Sequence, residues 1–454
     1  MKILLVNPFY AKLVAKQGRI YNRTWPPLDL ASTAALLKSQ GRDVSILDAN
    51  ALQLDPAETA RRCAGFDQVY ITSTSLDRWQ CPHLDLAPFL ETVKAVKSVA
   101  PEVYVMGSHG TVRPAEILEL TGARAVLRGE PEGTVPALAA GASLAEAPGI
   151  SWKNGAETVH NKDAPPVRLD DPPSPAFDLL PMELYAYEVM GDRFTLFEMS
   201  RGCASACTFC LLKTYGDGVR RKTVPKLAAE IETAITRHGV RKAYFIDLEF
   251  TVLRKQVLEL CDWLIAKNFD FEWCCQTRFD LIDDELLEKM RRAKCTLIHF
   301  GVEAGSDAAL SRLNKGIDLN AIREGMKRLK RSGIRSACFF IIGFPESTRQ
   351  DMVDINAFAR ELSPDYPLFH IAAPYPGTEL YEQVKKDPKL RFSDDSLFPE
   401  AVEAALTLPE LKRMTRDAYI GYYLRPGYVL GRIRRGDWRN LLHQARLFWS
   451  FVSA

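Results

Sequence analysis

The stretch Thr195-Leu-Phe-Glu-Met-Ser-Arg-Gly-Cys-Ala-Ser-Ala-Cys-Thr-Phe-Cys210 decides how this 454-residue chain is read. It opens as a short apolar run, Thr195–Met199, of the kind that forms a buried parallel strand. It then turns at Gly202 into a loop holding Cys203, Cys207 and Cys210. Three thiolates at CxxxCxxC spacing, with no fourth nearby, suit a [4Fe–4S] cluster that keeps one iron open. Structural zinc closes four ligands, and no Cys or His stands at zinc-finger spacing. An open metal position is where a substrate or cosubstrate can bind. Three buried structural cysteines are the bland alternative. The remaining cysteines, at 63, 81, 261, 274, 275, 295 and 338, are scattered.

Working outward, the same rhythm of apolar run and amphipathic stretch repeats at Lys242–Ile246, Glu272–Gln276, Leu297–Gly301, Ser336–Ile342 and Leu368–Ala372. Six such units predict a partial (β/α)6 barrel over 191–385, with chemistry at the carboxyl ends of its strands. Beyond it, 386–454 reads as a helical C-terminal region. Toward the N-terminus, Ile3–Val6, Val44–Leu47, Val69–Ile71, Val103–Met106 and Ala125–Leu127 alternate with helical patterns. They predict a doubly wound, flavodoxin-like α/β domain over 1–145. Residues 146–190, with the five prolines of 161–175, read as a linker.

Hydrophobic residues at 47% and charged residues at 26% place the chain in the ordinary globular range. With 59 Lys+Arg against 57 Asp+Glu, no bulk field exists to condense nucleic acid. No apolar run of membrane-spanning length occurs, and Lys2–Val6 meets Asn7-Pro8 too early for a signal peptide. The expectation is a cytoplasmic protein. Ten cysteines are too sparse for a disulfide scaffold.

The cysteine loop resembles that of the radical S-adenosylmethionine (SAM) superfamily, which carries CxxxCxxC after the first barrel strand. The resemblance implies a [4Fe–4S] cluster on Cys203, Cys207 and Cys210, with SAM on the open iron and Phe209 near the adenine. In that family an electron from the cluster cleaves SAM to methionine and a 5′-deoxyadenosyl radical. The resemblance also implies roles for polar strand ends. Asp247 and Glu249 would contact the methionyl amino group, and Arg278 the SAM carboxylate or a substrate anion. Glu303 would contact ribose or methionine, and the Gly343–Glu346 backbone the adenine. Each of these could instead be a satisfied polar residue at a strand end.

In the N-terminal domain, Thr72-Ser73-Thr74, Gly107-Ser108-His109 and Arg128-Gly129-Glu130 follow strands. Small and hydroxylated residues there let a backbone approach a large cofactor. No GxGxxG follows the first strand, which disfavours a Rossmann dinucleotide site. This domain ahead of a radical SAM barrel resembles the cobalamin-dependent radical SAM enzymes, through Trp25-Pro-Pro-Leu-Asp29, Leu47–Asn50, Gly107–His109 and Arg128–Glu130. No DxHxxG occurs, so the resemblance supplies no histidine for the lower face of cobalt. His109 reads as a cofactor-edge contact or a core histidine. Leu76 and Trp79 are better lower-face candidates, with packing of Trp79 as the alternative.

The resemblance implies methylation of an unactivated carbon: hydrogen abstraction from a small-molecule or lipid-like substrate, then methyl transfer from methylcobalamin. It implies an external one-electron reductant of flavodoxin or ferredoxin type and no nucleic-acid partner. The alternatives are a radical rearrangement, cyclisation or C–C coupling, and a cobalamin-binding carrier or sensor. A methylthiotransferase is disfavoured, because only Cys63 and Cys81 lie in residues 1–190. Near the C-terminus, Tyr419, Tyr422 and Tyr423 are pocket-wall candidates, Tyr423 as a catalytic group, with His370 and Tyr375 as weaker ones. The basic run from Arg425 through Arg432, Arg434, Arg435, Arg439 and Arg446 could meet an anionic substrate or a membrane, but more often such a face is solvated.

Overall fold

The computed structural model describes residues 1–10, 13–15, 19–21, 23–216 and 218–434. The chain divides into two compact units: residues 1–11, 22–204 and 211–248 form the first, and 12–21, 205–210 and 249–454 the second.

The first unit is built on strands β1 (Lys2–Asn7), β2 (Asp43–Asp48), β3 (Gln68–Thr72), β4 (Glu102–Met106) and β5 (Ala125–Leu127). They are parallel neighbours in the order 2-1-3-4-5, the flavodoxin-like arrangement expected. Ile3, Leu4, Leu5 and Val6 are all buried, as in a parallel sheet covered on both faces. Helix ends follow local chemistry. Asp55 caps the helix Pro56–Cys63 by accepting from the Glu58 amide at 2.7 Å, a contact worth about 1 kcal/mol.

The expected linker is partly sheet. β6 (Ile150–Asn154) and β7 (Glu157–His160) form a hairpin that adds antiparallel to β5. Arg128 fastens it, donating to the Ile150 carbonyl at 2.7 Å and Ser151 Oγ at 2.6 Å. Two barrel strands, β8 (Phe194–Phe197) and β9 (Lys242–Phe245), also lie in this unit and pair in parallel.

The second unit carries four more parallel strands: β10 (Glu272–Thr277), β11 (Cys295–Glu303), β12 (Arg335–Ile342) and β13 (Tyr366–Ile371). The helices between them begin at side-chain caps: Asp283 to the Leu286 amide, Asp318 to the Ala321 amide, and a Thr348–Asp351 capping box. After β13 the chain is mainly helical, as expected: Glu379–Lys386, Leu408–Tyr423 and Pro426–Arg434. A short antiparallel pair, Arg391-Phe392 with Val402-Glu403, interrupts it. Among the described residues, no helix is long and apolar enough to cross a membrane.

Candidate cofactor-binding site

The cysteine loop leaves β8 through a buried corner. Met199 N and Ser200 Oγ donate to Asp247 at 2.9 and 2.6 Å, so this carboxylate ties the two strand ends together. Burial pushes Asp247 up to about 6 against those bonds. In the structure it holds the base of the loop. Gly202 follows with φ +93°, a left-handed turn. Cys203, Cys207 and Cys210 are all half-buried, unlike Cys63, Cys261, Cys274, Cys275, Cys295 and Cys338, which are buried.

In the second unit the loop is pinned through its backbone. Thr208 N donates to the Leu313 carbonyl at 3.2 Å, Leu380 N to the Thr208 carbonyl at 2.9 Å, and Asn314 Nδ2 to the Ala206 carbonyl at 2.9 Å. Burial pushes the Cys207 thiol up, opposed by Lys315 and Arg278. Among the described residues, no three His, Cys, Asp or Glu side chains gather as they would around a single metal ion.

Beside Cys207 lies a polar network. Ser205 Oγ donates to Glu249 at 2.7 Å. Arg278 spends all five of its donors: on Asp280 twice, on Ser205 Oγ, and on the carbonyls of Lys315 and Gly316. The expected anion partner is thus a brace for the Lys315-Gly316 turn. Sequence reasoning passed over Lys315, which ends no strand. It is buried, and Nζ gives one of its three donors to Glu303 at 2.9 Å. Glu303 itself sits at φ +67°, beyond a register shift in the β11–β12 pairing. A Cβ on Gly301 would come within 2.1 Å of its Oε1, so glycine there makes room for the pair.

Next to the network is a cleft of about 200 Å³, lined by Thr208, Ala304, Ile341, Phe344 and Glu346 among others. Phe209 and Phe344 meet at 5.4 Å. Gly343 has φ +86°, and Glu346 pairs with Arg312 at 3.2 Å.

In the first unit the loops after β3 and β4 are knitted together. Thr72 Oγ1 donates to the Thr74 carbonyl, Ser108 N to Thr74 Oγ1 and Ser108 Oγ to the Trp79 carbonyl. Gly107 has φ +107°, and a Cβ there would approach Ser73 Oγ to 2.7 Å. Gly129 N donates to Thr111 Oγ1 at 2.9 Å. His109 is fully buried, with Nε2 2.7 Å from the His83 carbonyl and Nδ1 2.9 Å from Ser73 Oγ. Burial lowers it to about 4, so it is neutral at pH 7, donating through Nε2 and accepting at Nδ1. It is a core histidine. Glu130 is engaged by Arg220 and by the Val167 amide. Leu76 and Trp79 are buried, and Trp79 packs 5.5 Å from Tyr215.

Residues 197–359 match the radical SAM superfamily, and residues 21–139 match the B12 binding domain. The chain carries a B12-binding domain ahead of a radical SAM domain. Over its whole length it is similar to an uncharacterized methyltransferase of Pyrococcus horikoshii, at 29% identity covering 96% of this chain and 98% of that protein. It is also similar to the anaerobic magnesium-protoporphyrin IX monomethyl ester cyclase of Rubrivivax gelatinosus, at 27% identity over 85% of this chain and 70% of the cyclase. Among solved structures, the methyltransferase TsrM from Kitasatospora setae, with cobalamin and a [4Fe-4S] cluster bound, shares the fold. Its TM-score is 0.69 at 17% identity, covering 91% of this chain and 82% of TsrM. The cofactors of this protein are accordingly a [4Fe–4S] cluster, SAM and cobalamin.

The B12-binding half fits its cofactor by a physical test. Trp25 Nε1, Asp29 Oδ1 and Trp79 Nε1 are buried without a hydrogen-bond partner. Each such group costs about 1–3 kcal/mol. Trp25 and Asp29 follow β1 and Trp79 follows β3, the neighbouring strands where the strand order reverses and ligands of such sheets bind. Both donors and acceptors go unmet there, as suits a corrin edged with carboxamides.

Asp29 also has a measurable signature. Burial, with Glu132 adding repulsion, pushes it up to about 8. The folded chain keeps a proton that an unfolded aspartic acid releases near 3.8. Stability present below pH 4 is therefore lost as pH rises toward 8, by on the order of 5 kcal/mol. Asp29→Asn is expected to be more stable than the parent at pH 8 without cofactor. Urea midpoints at pH 5 and pH 8 check this; an unchanged difference between the two pH values contradicts it.

The C-terminal tyrosines serve the sheet edge. The hydroxyls of Tyr419, Tyr422, Tyr423 and Tyr428 donate to the carbonyls of Phe369, Pro364, Pro367 and Asp365. Tyr419 also accepts from the Phe369 amide at 3.0 Å. They cover the backbone of β13, the last strand in its sheet, which would otherwise be an open edge. Tyr423, a candidate catalytic group, is hydrogen-bonded to this edge through Pro367 at 3.0 Å. Arg425 lies 3.9 Å over Tyr422 and Arg432 lies 4.8 Å over Tyr366, so this part of the basic run folds onto its own unit. Arg435, Arg439 and Arg446 lie outside the described residues.

Proposed function

We propose that this protein is a cobalamin-dependent radical SAM methyltransferase acting on an unactivated carbon of a small-molecule or lipid-like substrate. The observation that carries this reading is a B12-binding domain ahead of a radical SAM domain in one chain, with end-to-end similarity to a protein named a methyltransferase. When bound, the cluster with SAM supplies hydrogen-atom abstraction and the methylated cobalamin supplies the methyl group.

Cys203, Cys207 and Cys210 hold the cluster. Glu249, steadied by Ser205, accepts from the SAM ammonium. Lys315 takes the carboxylate with its remaining donors, and Arg278 holds the Lys315 turn in place. The cleft lined by Thr208, Ile341 and Phe344–Glu346 receives the adenine, with Phe209 packed against Phe344. Trp25, Asp29 and Trp79 meet the cobalamin, and Leu76 and Trp79 exclude water from its lower face. The protein works in the cytoplasm with a flavodoxin- or ferredoxin-type reductant.

Anaerobically reconstituted protein with substrate is expected to yield methionine, 5′-deoxyadenosine and S-adenosylhomocysteine together. Deoxyadenosine without adenosylhomocysteine would instead favour the second reading, a non-methylating cyclisation. The similarity to the R. gelatinosus cyclase supports that reading.

A further inference from the structure

We infer that Arg201 is a positioning residue that locks the start of the cysteine loop to the cobalamin-binding domain. This rests on the cofactor assignment proposed above. Arg201 stands two residues before Cys203 and is 3% exposed. Its Nε and Nη2 donate to both oxygens of Glu198 at 2.8 Å, and Nη2 also donates to Glu132 at 2.7 Å. Nη1 lies 3.4 Å from Glu130. Arg220, its partner across a two-residue antiparallel bridge, binds Glu130 as well. One glutamate is thereby held by two arginines. Glu130 and Glu132 open the helix Pro131–Ala139 of the cobalamin-binding domain, directly after the β5 loop. A single side chain so joins segments about 70 residues apart, one leading to the cluster ligand and one bordering the cobalamin loops.

Buried ion networks are poor sources of stability, because desolvation offsets their attraction; apolar residues of similar volume often do better. What the network does supply is a fixed distance and angle. Radical transfer needs that, since misplacing reacting groups by about 1 Å can cost on the order of 100-fold. Burial raises the Glu132 pKa against the pull of Arg201. Glu132→Gln removes the charge of the pair and keeps the shape of the side chain.

The test uses full-length protein reconstituted with iron, sulfide and hydroxocobalamin, reduced with dithionite to the paramagnetic Co(II) and [4Fe–4S]+ forms, and reads the cobalt-to-cluster distance distribution by pulsed dipolar EPR. Glu132→Gln is compared with the parent and with Glu230→Gln. The latter breaks the buried Lys222–Glu230 pair, 2.8 Å apart, which is felt electrostatically at Glu198 but leaves the Arg201–Glu132 contact intact. The distribution is expected to broaden in Glu132→Gln alone, with iron and cobalamin content unchanged. A distribution equal to the parent's, or broadening in both variants, overturns the inference. Arg201→Lys, which keeps the charge and loses the fork, is read the same way should Glu132→Gln fail to fold. If the parent binds no cobalamin, the proposed function fails. Hydrogen exchange then decides the link: faster exchange at amides 199–203 in Glu132→Gln but not in Glu230→Gln supports it, and equal exchange overturns it.

Discussion

Cys207→Ala protein is expected to take up no SAM-cleaving cluster and to form no 5′-deoxyadenosine above background. Three thiolates are the minimum that holds a cubane with one iron left open, and removing one exposes a second iron. Loss of the cluster removes the electron source, so the whole acceleration goes, at least on the order of a million-fold. Cys203→Ala and Cys210→Ala should behave alike. Cys63→Ala is the contrast. Its thiol is fully buried and pushed up to about 12 by burial, which leaves it no thiolate character for iron. That variant should keep iron and activity, at a modest packing cost. Iron, sulfide and deoxyadenosine assays on the four variants check the pattern; full activity in Cys207→Ala would refute it.

Gly202→Ala is expected to be nearly as damaging by a different route. At φ +93° an L side chain is strained by about 1–3 kcal/mol. Here steric overlap adds to the strain, because a Cβ would lie 2.0 Å from the Gly218 carbonyl oxygen. Backbone cannot step aside as a flexible side chain could, so the Arg201–Cys203 turn must open. Gly129→Ala is a control with φ +74° and open space around its Cβ, for which about 1 kcal/mol suffices. Gly202→Ala should thus lose at least about 3 kcal/mol in urea denaturation and most of its iron. Equal stability of the two variants would contradict the structure of the loop.

The strands were legible because parallel strands buried on both faces read as unbroken apolar runs, and Ile3–Val6 and Val103–Met106 are such runs. The hairpin of β6 and β7 was missed: Gly155-Ala156 forms its two-residue turn, but the prolines that follow it suggested a linker. The cysteine loop could be read because its ligands are close in sequence. Strand-end position alone did not give the protein partners of Asp247, Glu130 and Arg278. Each sits where expected, but its partners, Met199, Arg220 and the Lys315 turn, come from other segments. No periodicity announces such pairings. Lys315 was missed for the same reason, and the hydroxyls of the C-terminal tyrosines found β13 carbonyls that only the folded chain brings near.

The central claim is that Cys203, Cys207 and Cys210 hold an iron–sulfur cluster whose remaining iron binds SAM. Mössbauer spectroscopy of the reconstituted protein, with and without SAM, tests it most directly. The account predicts a cubane spectrum in which SAM shifts one iron site and leaves the rest unchanged, and no such spectrum from Cys207→Ala. A spectrum indifferent to SAM, or the same cluster in the variant, would contradict it.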